Sequence, residues 1–409
     1  MMMSAIILHR PVPQKYSGSI PTTFVSTNCL SATKRCGVFD MQKNVSPRVH
    51  AGHHLPEITG ISLDVLERKL REFGQSAYRM RQIMNWIYHK HVHAFDDMSN
   101  LSKNLRTTLS GNFALGRLEQ VACVKAEKGD AAKFGFELRD GAGIIESVLL
   151  YDDRRRTACI SSQLGCNLGC VFCETGRLGL LRNLTQGEIL GQLLAMNEYL
   201  EKRGDKSITN VVFMGMGEAL ANFRHFRNAV DYLMHPDAFN LGGRRITVST
   251  AGVVPSIERL MREKLNVNLA ISLNTYSNEL RDRLMPINKK YPIEQLIEVS
   301  HRYFEHTGRR VTFEYVLIKG ENDSDAAAAA LKKHLAGLTC KVNVIPLNNC
   351  DYSSEKTPAK ADVVRFVKKL HSFDIGATIR TTRGNDIFGA CGQLGHLLLH
   401  KKSAAYQNI

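Results

Sequence analysis

From Thr157 onward, short apolar, β-branched runs alternate with helical stretches. The runs are TACIS, ITNVVFM, RITVS, VNLAISL, VTFEYVLI, KVNVIPL and ATIRT, and the helical stretches lie near 185–200, 222–234, 255–263, 293–306, 324–337 and 359–371. Repeated strand and helix predicts a parallel sheet with right-handed crossovers. About six such units without a dinucleotide glycine fingerprint predict an α/β barrel or partial barrel, whose chemistry sits at the carboxyl ends of the strands. GMGE (215–218), STAG (249–252), SLN (272–274) and IPLN (345–348) all fall at or just past those ends. Four strands therefore aim polar or glycine-rich residues at one mouth.

Upstream, Ser62 is placed to cap a helix that carries Leu63, Leu66, Leu70 and Phe73 on one face and ends at Gly74. A second helix around Tyr78 to His89 carries Arg79, Arg81 and the single Trp86, with Lys90 after it, and a third runs near Leu101 to Leu109. This basic module either contacts a polyanion or packs against the main body with Trp86 in the core. FGFEL and GIIESVLL then read as strands of a small sheet. The expected organisation is an N-terminal extension (1–56), a helical accessory domain (57–112), a β-rich segment (113–152), the barrel core with a C-terminal cysteine loop (153–398) and a tail (399–409).

Lys and Arg outnumber Asp and Glu by 54 to 39, a net charge of +15, which suits a polyanion such as RNA. Its bland counterpart is a solvated basic surface. No apolar run reaches the roughly 18 residues of a spanning helix, so no membrane is expected. Ten cysteines are too few for a disulfide scaffold at this length and imply a reducing compartment. The hydroxyl-rich, acid-poor start has three readings: a transit peptide, an RNA-binding tail, or an over-extended start with Met41 as the true beginning. A cytoplasmic location is expected, or an organellar one if residues 1–40 are a transit peptide.

Cys166-Asn-Leu-Gly-Cys170-Val-Phe-Cys173 sets three thiolates within eight residues, in a small-residue loop that follows a strand. Soft sulfur ligands select an iron–sulfur cluster or zinc. Structural zinc would need His225 or Cys159 to complete four ligands. A [4Fe-4S] cluster needs no completion: three thiolates leave one iron open to a substrate. The cluster is the stronger reading.

This spacing resembles the radical S-adenosylmethionine (SAM) superfamily, and its context resembles the RlmN/Cfr-type RNA methyltransferases. The likeness runs from about Ile58 to Leu398 through ordered blocks: GIIESV, ACISSQLGCNLGCVFC, RNLTQGEILGQ, NVVFMGMGE, VSTAGVVP, AISLN, RDRLMPINKKYP, VTFEYVLI, VNVIPLN and TTRGNDIFGACGQL. It implies a radical SAM partial (β/α)6 barrel with a small N-terminal helical accessory domain and a short β-rich linker. It also implies that SAM chelates the open iron and is held by Gly217, Glu218, Ser249, Ser272, Leu273, Asn274 and Asn348. Asn274 stands where the family commonly has His, so a group that cannot titrate occupies that position.

The family further implies two working thiols. Cys391 matches the cysteine methylated by one SAM, and Cys159 the thiol that later releases the product. An adenine ring carbon is not nucleophilic, so polar methyl transfer would fail. The family instead takes hydrogen from the methylated cysteine with a 5′-deoxyadenosyl radical, and the methylene radical adds to the base. Loss of a ring proton and an electron, with closure of a Cys159–Cys391 disulfide, frees the methylated base. Glu146 matches the proton acceptor. The implied substrate is adenosine C2 in 23S-type rRNA, naked or in early ribosome assembly, and in tRNA, with a flavodoxin or ferredoxin as electron donor and a monomeric enzyme. Gly384, Gly389 and Gly392 flank Cys391 and would let its loop move, while Arg380, Arg383, Lys289, Lys290, Arg281 and Arg283 are candidates for phosphate contacts. Competing readings are adenosine C8 methylation, an iron–sulfur or zinc RNA-binding protein without catalysis, and a radical SAM enzyme acting on protein or a small molecule.

Overall fold

A computed structural model describes residues 55–348 and 355–399. The expectations for Met41 and the hydroxyl-rich segment before it lie outside the described residues, as does nearly all of the tail. Three helices come first: α1 (Leu63–Glu72), α2 (Ala77–Tyr88) and α3 (Lys103–Asn112). In α1, Leu66 and Leu70 are buried and Gly74, at φ +70, turns the chain just past the end. Ser62 holds the N-cap position without a capping bond, whereas Ser102 does cap α3, accepting from the Leu105 amide at 3.2 Å. Trp86 is half-buried, with the Lys90 ammonium 3.9 Å from its ring. The apolar faces of the three helices belong to the same hydrophobic core as the barrel.

The strands are β1 (Glu119–Lys125), β2 (Ala131–Glu137), β3 (Ile144–Tyr151), β4 (Arg156–Cys159), β5 (Gln163–Cys166), β6 (Gly179–Asn183), β7 (Asn210–Phe213), β8 (Ile246–Thr250), β9 (Asn268–Ser272), β10 (Val311–Leu317), β11 (Cys340–Pro346) and β12 (Ala377–Ile379). Ten of them form one sheet, β1-β2-β3-β4-β7-β8-β9-β10-β11-β12. Within that sheet every pairing from β4 to β12 is parallel, as the alternation predicted, while β5 and β6 form a separate antiparallel pair. The segment expected to make a small sheet makes none of its own. β1 to β3 pair antiparallel and extend the barrel sheet, with Val148 of β3 opposite Cys159 of β4.

The covering helices are α4 (Glu174–Arg177), α5 (Gln186–Glu201), α6 (Phe223–Met234), α7 (Val254–Arg262), α8 (Asn278–Leu284), α9 (Ile293–Thr307), α10 (Asp325–His334), α11 (Lys360–His371) and α12 (His396–Leu399). A capping box starts α5: Thr185 accepts from the Glu188 amide, and Glu188 accepts from the Thr185 amide. Arg182 of β6 clasps the same Glu188 with two bonds of 2.9 and 2.6 Å, fixing the β5–β6 hairpin to the helix. In that hairpin, Gly165 is left-handed and a Cβ there would lie 1.8 Å from the Gly179 carbonyl. The hairpin presents Cys166 to the barrel mouth.

Candidate active site

Cys166, Cys170 and Cys173 line one cavity at the carboxyl ends of the barrel strands, together with Gly217, Glu218, Ser249, Ser272, Asn274, Asn348 and Cys391. Polar ends from β7, β8, β9 and β11 therefore meet at one mouth. Leu273 does not join them: its side chain is fully buried in the core, and its carbonyl accepts from Arg281 Nε at 3.1 Å.

The cysteine loop rests on a small apolar cluster of Ala251, Leu284, Met285, Ile318 and Leu347, against which Leu168, Cys170 and Phe172 pack. Burial pushes all three thiols above the ordinary range, Cys166 to about 12. Cation ligation must offset that cost for the thiolate to form. Among the described residues no three Cys, His, Asp or Glu side chains converge on a point where a single ion would sit. Three soft thiol donors lining one cavity fit the donor set of an iron–sulfur cluster with one iron left open.

Glu218 is buried, and burial raises its carboxyl to about 7 against the pull of the Ala251 amide, which donates to Oε2 at 2.8 Å. A ligand ammonium here would restore its charge. Asn274 is left-handed at φ 59, a conformation that Asn tolerates better than most residues. Its Oδ1 accepts from the Val316 amide at 2.9 Å, tying β9 to β10, so the amide in the family's His position has a structural partner.

Cys391 reaches a second, smaller cavity as well, which it lines with Cys159, Met214, Arg380 and Val148. Both cysteines are free thiols, so the expected disulfide is not formed in this state. Burial pushes Cys159 to about 12, and the Arg380 guanidinium pulls the other way. The Cys391 segment is docked on the cluster loop. The Glu174 amide donates to Gly392 O at 2.7 Å, Thr175 Oγ1 to Leu394 O at 2.6 Å, and Asn348 Nδ2 to Cys391 O at 2.9 Å. Gly392, at φ +87, lies so close that a Cβ would stand 2.7 Å from Phe172 O.

Glu146 lines neither cavity. It lies two residues from Val148 on the same face of β3, fully buried, with Lys133 Nζ 3.0 Å from Oε2 and the Leu397 amide donating to Oε1 at 2.6 Å. Lys133 and Met214 are not marked by the sequence, and Arg380, expected at a phosphate, lies instead beside the two thiols. Lys133 interrupts an apolar strand, which is the one signal that could have marked it.

The candidate phosphate contacts largely have other work. Arg281 is fully buried and donates to the carbonyls of Ala251, Ser272 and Leu273 and to Asn288 Oδ1. Arg283 pairs with Glu321 and Glu355, and Arg383 bonds to Tyr151 O and lies 3.6 Å from Asp152. Arg380 is inside the barrel, 3.8 Å from Glu314. Lys289 and Lys290 are exposed.

Residues 160–331 match the radical SAM superfamily, and residues 57–115 match the ribosomal RNA large subunit methyltransferase N-terminal domain. The chain is 43% identical over 345 residues to a probable dual-specificity RNA methyltransferase RlmN of Dictyoglomus turgidum, covering 84% of this chain and 98% of that protein. It is 41% identical over 338 residues to the corresponding protein of Staphylococcus aureus strain Newman, covering 82% and 92%. The crystal structure of a radical SAM methyltransferase from Sphaerobacter thermophilus matches with a TM-score of 0.79 and 44% identity, covering 83% of this chain and 99% of that one.

Proposed function

Because the chain belongs to the RlmN family of radical SAM RNA methyltransferases, we propose that it methylates C2 of adenosine in 23S-type ribosomal RNA and in tRNA, with Cys391 as methyl carrier and Cys159 as releasing thiol. One observation carries this reading: Cys391 lines both the cavity of the cysteine triplet and the cavity of Cys159. A protein that only bound RNA would need neither thiol at that junction.

Cys166, Cys170 and Cys173 would hold the [4Fe-4S] cluster, and Gly217, Glu218, Ser249, Ser272, Asn274 and Asn348 would hold SAM. When bound, the cluster would supply the electron, received from a flavodoxin or ferredoxin, for reductive cleavage of SAM. Cys391 would present its S-methyl group to that chemistry, give up one hydrogen atom from it to the 5′-deoxyadenosyl group, and become joined to the adenine through the methylene carbon, the adduct losing its ring proton and returning one electron to the oxidised cluster. Attack by the Cys159 thiolate on the Cys391 sulfur breaks the S–C bond, forms the disulfide and leaves an electron pair on the methylene carbon, which takes a proton. Glu146 is the proton acceptor in this reading. To serve, it must exchange the Leu397 amide for the substrate, so the C-terminal turn has to lift from β3.

The rRNA would be met before assembly buries it, by a monomer acting in the cytoplasm. Mass spectrometry of rRNA and tRNA from a deletion strain tests the reading. Loss of 2-methyladenosine, restored by the wild-type gene and not by a Cys391→Ala gene, is expected; undiminished 2-methyladenosine overturns it.

A further inference from the structure

Three Arg-Arg pairs each immediately precede a parallel strand: Arg154-Arg155 before β4, Arg244-Arg245 before β8 and Arg309-Arg310 before β10. Parallel strands start at the same end of a barrel, so the three pairs are gathered at the mouth opposite the cysteine loop. The structure shows two adjoining hollows there. One of about 820 Å³ is lined by Arg155, Arg244, Arg309, Arg310 and Lys341 among others, and the other by Arg154, Arg155, Arg244 and Arg245 with Thr209 and Asn210.

Besides Arg380, which lies 3.8 Å from Glu314, seven cations thus face a mouth whose lining contains one carboxylate, that same Glu314. Glu314 is itself buried inside the barrel and accepts from Asn343 Nδ2 at 2.8 Å. Among the described residues none of the seven is ion-paired, whereas Arg156 one position on is tied to Asp205 at 2.8 Å. A solvated basic face would spread its cations and mix them with carboxylates. Here like charges are concentrated on a concave surface, where they repel one another unless an anion enters.

The large hollow adjoins the chemistry, with the contacting side chains of Arg380, Met214 and Glu314 between them. Met214, Glu314 and Arg380 line both it and the cavity of the cysteine triplet, and Met214 and Arg380 also line the cavity of Cys159 and Cys391. We propose that this N-terminal mouth of the barrel binds the phosphates of the RNA strand, so that the target adenine enters from the end opposite the cluster and reaches Cys391 past Arg380 and Met214. Paired guanidinium groups suit phosphate oxygens, which they clamp with two bonds each. A flipped base needs an opening flanked by contacts to its neighbouring phosphates, and the mouth supplies both. This inference rests on the RNA-substrate reading above.

The test uses full-length, cluster-loaded enzyme and a transcript of the large-subunit rRNA region that wild-type enzyme methylates. The Arg244→Glu/Arg245→Glu/Arg310→Glu variant is compared with a matched reversal on the outer helices, Lys333→Glu/Lys360→Glu/Lys368→Glu, whose residues are all exposed. Each lost phosphate contact lowers the slope of log affinity against log salt by roughly 0.7–0.9, so the mouth variant should lose about 2 from the slope and about tenfold or more in affinity. Cluster absorbance and methylation of Cys391 should match wild type, and the outer variant should bind RNA as wild type does. Wild-type slope and affinity in the mouth variant, with the loss found instead in Arg79→Glu/Arg81→Glu/Lys90→Glu of the helical module, would overturn the proposed mouth and leave the RNA reading standing. Wild-type enzyme that methylates no RNA would overturn both.

Discussion

Lys133 Nζ lies 3.0 Å from Glu146 Oε2, and the two side chains hold opposite flanks of the segment that carries Cys391. Lys133 donates to Phe388 O at 3.2 Å on one side of it, and Glu146 accepts from the Leu397 amide on the other. Lys133 is opposite Val148 in the β2–β3 register, so it and Glu146 are diagonal neighbours on one face of the sheet. Gly135, opposite Glu146, leaves room for Leu397: a Cβ there would stand 2.7 Å from Leu397 Cδ1.

Removing one member of this pair leaves an uncompensated charge in the core. Lys133→Met should therefore cost about 3–5 kcal/mol of unfolding free energy. Lys133→Met/Glu146→Leu should recover much of it, because an apolar pair of similar volume is often neutral in such places. Denaturant unfolding of cluster-loaded protein reads the difference. If both variants lose the same amount, the pair is not coupled.

The two working thiols should separate by phenotype. Cys391→Ala removes the methyl carrier and should abolish methylation with cluster absorbance intact. Cys159→Ala leaves the carrier and removes the attack that frees the product, so an RNA–protein adduct should accumulate on a denaturing gel. Free methylated RNA from Cys159→Ala at the wild-type rate would remove Cys159 from the mechanism.

The parallel strands were legible because strands buried on both faces read as apolar runs, and the helices between them fall within a few residues of where periodicity puts them. The mouth residues were legible because their polar tetrads end such runs. Pairing partners were not: nothing within GIIESVLL says that Val148 will lie opposite Cys159. Arg281, in the RDR stretch, looks like a surface cation, and only the convergence of distant carbonyls from Ala251 and Ser272 makes it a buried one. Lys133 and Glu146 are 13 positions apart and meet only once the β2–β3 register is known. The Arg-Arg pairs were visible all along, but gained meaning only when the strands after them proved parallel.

Arg380 should set the rate of product release at a given pH. Attack requires the Cys159 thiolate, and burial raises that thiol to about 12, so at neutral pH the reactive form is scarce. The release rate in a single turnover should climb about tenfold per pH unit between 7 and 9. Arg380→Met removes the nearby cation that favours the thiolate, so it should slow release about tenfold or more at any given pH and leave the slope unchanged. A flat wild-type profile over this range would show that another step limits release.

Glu218 predicts a different pH dependence for SAM binding. Its carboxyl, raised to about 7 by burial, is largely protonated at pH 6 and largely ionised at pH 8. A ligand ammonium favours the ionised form, so binding at pH 6 must first expel a proton, and affinity should rise about tenfold between pH 6 and 8. The sign is set by the folded carboxyl being higher than the model-peptide value of about 4.3, which places the whole change in this window and not near pH 4. Glu218→Gln cannot ionise: it should bind SAM about tenfold or more weakly at pH 8 and lose the dependence. Equilibrium dialysis of SAM against cluster-loaded protein at both pH values measures this, and an affinity that is the same at pH 6 and pH 8 in the wild type would show that Glu218 does not meet the ammonium group.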